Sequence, residues 1–255
     1  MAIDRDEMRA RVLRLRGYVG PFQSAMIELD PDWVERYLAF VCAPNDSGRI
    51  SMRLTQLIYV GIDAVPSHLY PKGIGTHAEL ALKNGATFDE VIETLEIAAS
   101  LTELSPAMAF PILAEELAAA GAAPAADEAA RAALAETARK LPGEPPAWLR
   151  VAADLVPNCV GPLLDMLAHP WQRGALPAKE RALIALACNA APAVLAADGI
   201  RRHIREALSH GASGEEIAEV ISLASGIGIH SLAVGAPILT EILHRQGDAQ
   251  PAAAQ

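Results

Sequence analysis

The sequence has few cysteines, few aromatic residues and little positive charge, and these shortages exclude several classes of protein. Its three cysteines are widely spaced and form no Cys-x-x-Cys pair, so they encode neither a disulfide framework nor a zinc knuckle. The formal net charge of −10 argues against a nucleic-acid partner, because affinity for the phosphate backbone comes largely from Lys and Arg. This cysteine use favours a reducing, cytoplasmic environment.

Long uninterrupted hydrophobic runs are missing as well. The first residues mix acidic and basic side chains and lack the apolar core of a signal peptide. The most apolar stretch, 217–239, contains Glu219 and His230 and is broken by Pro237. We therefore expect a cytoplasmic protein that has no membrane partner. The hydrophobic content of 52% is enough for one large core or two small ones.

What the sequence does contain is a tandem repeat. A shift of 203 − 77 = 126 residues brings His77 onto His203 and aligns the flanking segments without a gap. Between residues 53–117 and 179–243, 22 of the 65 aligned pairs are identical. A whole structural unit has therefore been duplicated, and we expect the two copies to pack about an internal pseudo-twofold axis.

The repeat predicts the domain organisation. The first copy covers residues 20–117 and the second covers 146–243. Residues 118–145 between them are predicted to form an Ala-rich helix followed by a Pro-rich linker. Residues 244–255 are polar and have no periodic apolar face, so we expect a disordered tail.

The spacing of apolar residues is helical in both copies. Val91, Leu95 and Ala98 recur at intervals of three and four residues, and a capping box of Thr87 and Glu90 precedes them. The second copy repeats both features. No alternating β-branched run is present in the sequence, so we predict an all-α fold made of two duplicated helical bundles.

The repeated histidine is the first candidate for chemistry. His77 lies four residues after Gly73 and four before Ala81, and His203 has the same small neighbours. Such a stripe leaves space in front of the imidazole or lets another helix approach closely. Imidazole suits proton transfer because its pKa lies near neutrality, although a structural histidine remains the alternative. No cluster at metal-ligand spacing recurs, so we predict no metal site.

The segments around these histidines carry a family resemblance. Residues 73–91 and 199–217 each place His on one helix, Ala-Leu and Gly at its end, and Thr or Ser with Glu at the start of the next helix. Together with 181–187, they resemble the carboxymuconolactone decarboxylase and alkylhydroperoxidase D-like family over nearly the whole chain. The resemblance implies that family's helical bundle. It also implies a homo-oligomer, for which we expect a trimer, because single-unit relatives form rings and a fused pair needs half as many chains.

The peroxidase-like branch of that family fits poorly. The resemblance places its two redox cysteines at Tyr70 and Gly73 in the first copy, and at Ala196 and Gly199 in the second. Its glutamate falls on Gln56 in the first copy. Disulfide-based peroxide reduction needs thiolates, so an alkylhydroperoxidase-like reductase is disfavoured.

The decarboxylase-like branch keeps its histidine as His77 and His203. Its aromatic-x-Gly-x-Pro signature falls on Thr102, Leu104 and Pro106, so the reaction for which the family is named is left open. The resemblance implies a cofactor-independent lyase or isomerase that acts on a carboxylated lactone or keto acid by histidine general acid–base catalysis. A non-catalytic helical scaffold for ligand binding or assembly is the alternative.

The two copies differ in polar residues near the histidine. The first offers His68 and Tyr70 in the loop before His77, whereas the corresponding loop of the second copy is apolar. We therefore predict that His77 transfers protons with help from Tyr70 or His68, and that His203 has a more structural role. A solvated loop is the alternative for residues 68–70. Asp63 is interpreted as a helix-end or surface carboxylate.

Overall fold

The computed structural model describes residues 3–248, and all the regular structure within them is helical. The all-α prediction is therefore confirmed. The helices up to residue 119 are α1 Arg5–Arg16, α2 Pro21–Leu29, α3 Pro31–Asp46, α4 Met52–Ala64, α5 Pro71–Lys83, α6 Phe88–Ala99 and α7 Leu104–Ala119. Those that follow are α8 Glu128–Ala138, α9 Leu149–Leu155, α10 Pro157–Arg173, α11 Ala178–Ala190, α12 Ala197–Ser209, α13 Gly214–Ser225 and α14 His230–Asp248. Short 3₁₀ helices at Ser100–Glu103 and Gly226–Ile229 precede α7 and α14.

The bounds of the helices repeat at the shift found in the sequence. Adding 126 to the bounds of α4, α5 and α6 gives 178–190, 197–209 and 214–225, which are the bounds of α11, α12 and α13. The capping box that opens α6 forms as predicted: the Thr87 N–H donates to Glu90 Oε2 at 2.7 Å, and the Glu90 N–H donates to Thr87 Oγ1 at 3.2 Å. The sequence repeat is thus a repeat of structural elements.

The chain divides into two units. The smaller comprises Met1–Gly48 and Gly226–Gln255, and the larger comprises Arg49–Ser225. In the smaller unit, α14 packs against α2, and the core draws on both parts of the sequence, including Met8, Ile27 and Ala236. These two units do not coincide with the two copies, because the copies are defined by the sequence repeat and the units by which helices pack together. The helix that closes the smaller unit therefore comes from the second copy.

In the larger unit, the corresponding helices α4 and α11 contact each other. A Cβ at Gly61 would lie 3.0 Å from Cys188 Sγ, so the glycine permits this close crossing. In addition, α6 contacts α11 and α13 contacts α4. A twofold arrangement of the two copies produces such reciprocal contacts, and the pseudo-twofold itself stays a prediction that superposition of the copies tests.

The composition of the Ala-rich segment predicted one helix, but the structure contains two. The structure ends α7 at Ala119 and begins α8 at Glu128. Gly121 takes a left-handed φ of 64°, which terminates the first helix. Asp127 then accepts the N–H of Ala130 and starts the second. Helix propensity alone therefore overestimated the length of this helix.

The predicted tail also begins too early. Helix α14 continues to Asp248, so residues 244–248 are helical rather than disordered. His244 Nε2 lies 2.8 Å from Glu28 Oε1, an interaction within the smaller unit near this end of the helix. Residues 249–255 lie outside the described part of the chain.

Two helical stretches expose apolar surface. Residues 88–119 and 214–246 are long and apolar enough to cross a membrane by length and composition alone. On α7 the exposed apolar side chains include Met108, Ile112 and Leu113. Large exposed apolar surfaces of this kind commonly mark protein–protein contacts, which bears on the predicted homo-oligomer.

Candidate functional site

In the first copy, one face of α4 positions the histidine of α5. Gln56, Tyr59 and Asp63 recur at intervals of three and four residues, so they lie on one face of α4. His77 Nδ1 lies 2.7 Å from Gln56 Oε1, and the imidazole centroid lies 4.7 Å from that of the Tyr59 ring. All four side chains are buried. The predicted histidine is therefore an interior residue held by its neighbouring helix.

Asp63 lies against the first turn of α5. The Tyr70 N–H donates to the Asp63 carbonyl oxygen at 2.8 Å, and a Cβ at Gly73 would overlap both Asp63 Oδ2 and the Tyr70 ring. Only glycine leaves room for the carboxyl group at this position. Gly73 and His77 are four residues apart on one helix face, about 6 Å along the axis. The carboxyl group of Asp63 thus lies one helical turn before the imidazole.

Asp63 lies at the end of α4, as one of the two interpretations had it, but the other interpretation, a surface carboxylate, is wrong. Only 1% of the residue is exposed. Burial raises the pKa of Asp63 to about 8, because desolvation disfavours the charged form. The missed signal was the pairing of position 63 with Gly73, which recurs at the same shift as Asn189 with Gly199.

Gln56 determines which nitrogen of His77 carries the hydrogen. Gln56 Nε2 donates to Met52 Sδ at 3.3 Å, so the amide oxygen is the atom that faces the imidazole. An amide oxygen only accepts hydrogen bonds, so Nδ1 of His77 is the donor. In the neutral ring the lone pair is then on Nε2, which is the nitrogen that can accept a proton.

The two predicted loop residues lie between α4 and α5. His68 and Tyr70 are half-buried, and their ring centroids are 6.1 Å apart. Burial lowers the pKa of His68. Between them, Leu69 has a left-handed φ of 44°, and the corresponding Leu195 has a φ of 51°. In the structure, the Tyr70 ring and the Asp63 carboxyl group both lie against Gly73. His68 lies beside Tyr70.

In the second copy, the corresponding helices α11 and α12 place different side chains around the histidine. His203 stacks on Trp171, with ring centroids 5.4 Å apart and an interplanar angle of 9°. Asn189 takes the place of Asp63, and a Cβ at Gly199 would overlap its Oδ1. Burial, and to a smaller extent the charge of Arg202, lower the pKa of His203 to about 3. This histidine is neutral at physiological pH.

Two alanines account for much of this difference. Ala182 and Ala185 of α11 occupy the positions of Gln56 and Tyr59, so α11 supplies neither a hydrogen-bond acceptor nor a ring to His203. The ring comes instead from α10. Among the three free cysteines, Cys188 is buried and its pKa is raised to about 12, so it is a poor source of thiolate.

Comparison with known proteins agrees with the resemblance in the sequence. Residues 163–228, which include His203, match the sequence model of the carboxymuconolactone decarboxylase family. A solved structure from Burkholderia xenovorans LB400, described provisionally as a gamma-carboxymuconolactone decarboxylase subunit, matches with a TM-score of 0.90 and 30% sequence identity. The match covers 96% of this chain and 99% of that one. No curated protein matches the chain.

Proposed function

The chain belongs to the carboxymuconolactone decarboxylase family, and we propose that its first copy is a lyase site that decarboxylates a carboxylated lactone or keto acid. The observation that supports this most is the buried carboxyl group of Asp63, one helical turn from His77, with a pKa raised to about 8. Titratable groups with strongly shifted pKa values are typical of acid–base sites.

The proposed reaction needs a proton donor. Loss of CO₂ breaks a carbon–carbon bond and leaves the electron pair on the substrate, where the lactone or ketone carbonyl stabilises it as an enolate. A proton must then be delivered to carbon. A carboxyl group with a pKa of about 8 is largely protonated at pH 7, so Asp63 can donate this proton. The buried carboxylate that remains is basic and recovers a proton from solvent.

We assign His77 the complementary role of proton acceptor, through Nε2. In an isomerisation, Nε2 removes a proton from the carbon next to the carbonyl, and Asp63 returns a proton elsewhere on the conjugated system. The proton on Nε2 then returns to the Asp63 carboxylate, which restores the pair. In the lyase, Nε2 takes up the solvent proton that reprotonates Asp63, so the same pair serves both alternatives. Tyr70, whose ring lies beside Gly73, is assigned as a hydrogen-bond donor to the enolate oxygen. No step is assigned to His68, and its help in proton transfer by His77 stays a prediction.

The second copy is better suited to the scaffold alternative. Its histidine has a pKa of about 3, and Asn189 has no ionisable proton to give. Stacking on Trp171 fills the space on one face of the His203 ring. We therefore propose that the second copy supports the fold and that catalysis belongs to the first.

The test is to incubate the purified protein with gamma-carboxymuconolactone and a panel of β-keto acids. CO₂ release reports decarboxylation, and deuterium incorporation in D₂O without CO₂ release reports isomerisation. We expect His77→Gln and Asp63→Asn to lower turnover by roughly a hundred- to ten-thousand-fold. The matched control, His203→Gln, should retain wild-type turnover.

Two outcomes would contradict the proposal. If His203→Gln abolishes turnover in a folded protein while His77→Gln stays active, catalysis belongs to the second copy. If the folded wild-type protein neither releases CO₂ nor incorporates deuterium with any substrate, the scaffold alternative replaces the lyase. Circular dichroism of each variant establishes that it is folded.

A further inference from the structure

A small cavity lies between residues 97–103 of the first copy, residues 141–142 of the linker and the second copy, and two of the residues that line it carry unsatisfied polar atoms. Asn189 and His203 both line this cavity, and they are only 3% and 4% exposed. Neither Asn189 Oδ1 nor His203 Nδ1 has a hydrogen-bond partner among residues 3–248. A buried polar atom without a partner is unfavourable, because it has lost its hydrogen bonds to water. Two such atoms on residues lining one cavity indicate a group that bonds to both.

The size of the cavity restricts what that group is. Its free volume is about 10 Å³, close to the minimum that holds one water molecule. Leu141 and Leu167 form apolar parts of the wall. A metabolite does not fit without rearrangement of these side chains.

The hydrogen-bonding chemistry restricts it further. Asn189 Nδ2 already donates to the Ala185 carbonyl oxygen at 2.9 Å, so Oδ1 is the unsatisfied end of the amide, and it only accepts. The ligand must therefore be a donor, which excludes a carboxylate or another simple anion. A neutral imidazole Nδ1 either donates or accepts, and water can meet either need.

We propose that this cavity holds one buried water molecule, which donates to Asn189 Oδ1 and hydrogen-bonds to His203 Nδ1. In the first copy, Gln56 bonds to the corresponding nitrogen of His77. Ala182 takes the place of Gln56 in the second copy, so His203 lacks that partner. The inference does not depend on a catalytic role for the first copy.

An ion pair lies at the same cavity. Arg202 Nη1 lies 2.9 and 3.0 Å from the two carboxylate oxygens of Glu103, and both residues line the cavity. A water held by two buried side-chain atoms exchanges more slowly than surface water, and magnetic relaxation of water ¹⁷O nuclei detects such a water.

The experiment combines diffraction with relaxation. In a crystal structure that resolves ordered water, we expect one peak within hydrogen-bond distance of both Asn189 Oδ1 and His203 Nδ1. In ¹⁷O relaxation dispersion, Asn189→Leu, which has a similar shape and no acceptor, should lose one long-lived water relative to wild type. Asn84→Leu, at an exposed position, is the matched control and should lose none.

Three results would overturn the inference. One is a wild-type crystal structure with no density in the cavity, and another is density too large for water. The third is a folded Asn189→Leu variant that keeps the same number of long-lived waters as wild type. If Asn189→Leu fails to fold, the density in the wild-type crystal decides.

Discussion

Replacing Asp63 with Asn removes a buried ionisable group while it keeps the shape of the side chain. The second copy shows that the amide fits this position. There Asn189 lies against Gly199 as Asp63 lies against Gly73. The backbone N–H of Ala196 donates to the backbone carbonyl oxygen of Asn189 at 3.0 Å, which matches the backbone hydrogen bond from Tyr70 to Asp63. Any change in stability should therefore come from ionisation rather than from packing.

The structure gives the size and sign of that change. Burial raises the pKa of Asp63 from 3.8 to about 8, so between these values the folded protein holds a proton that the unfolded chain has released. The free energy of unfolding of the wild type therefore falls as the pH rises through this window. The slope from this group is about 1.4 kcal/mol per pH unit. Between pH 5 and pH 7 the wild type should lose about 3 kcal/mol that Asp63→Asn retains.

Urea unfolding at pH 5, 6 and 7, followed by circular dichroism, measures this difference. The advantage of Asp63→Asn over wild type should grow with each step in pH, while turnover falls. Asp198→Asn, an exposed carboxylate on α12, is the control and should run parallel to wild type. If Asp63→Asn also runs parallel to wild type, Asp63 ionises normally, and its role as a proton donor at pH 7 is refuted.

Three further predictions concern stability and assembly. Buried Glu93 accepts from Arg181 Nε at 2.7 Å, so Glu93→Ala should cost about 3–5 kcal/mol of unfolding free energy; an unchanged urea midpoint would contradict this. Leu69 has a left-handed backbone and is 59% exposed, so Leu69→Gly should raise the free energy of unfolding by about 1 kcal/mol. A lower free energy of unfolding would contradict backbone strain at this position. Light scattering should show a homo-oligomer, and we expect a trimer. The double variant Met108→Glu/Ile112→Glu should weaken this assembly, and a strict wild-type monomer at micromolar concentration would refute the prediction.

The helices were predictable because their signals are local. The capping box of Thr87 and Glu90 and the spacing of apolar residues after it depend on neighbours within a few positions, so they can be read from one sequence. The tandem repeat strengthened each signal by showing it twice. The interruption between α7 and α8 was missed because alanine content favours helix on both sides of Gly121.

The candidate site was predicted only in part, because burial depends on packing between helices. His77 was found from its repetition, and the structure shows it buried on α5. Asp63 was correctly placed at a helix end, but its burial was missed, since nothing local shows that a neighbouring helix covers the carboxylate. The role of Gln56 was missed for the same reason. Its amide matters only because α4 and α5 pack with these faces together.

The pairing of α2 with α14 has a consequence for how the chain is made. The core of the smaller unit contains Ile27 from the beginning of the chain and Ala236 from near its end. On a ribosome that adds roughly 5–20 residues per second, about 10–40 s pass between the synthesis of α3 and that of α14. During this time α2 lacks the helix that covers it, and its apolar residues are open to chaperones or to aggregation. A nascent chain stalled before residue 226 should therefore be more sensitive to protease within α1 to α3 than the released protein.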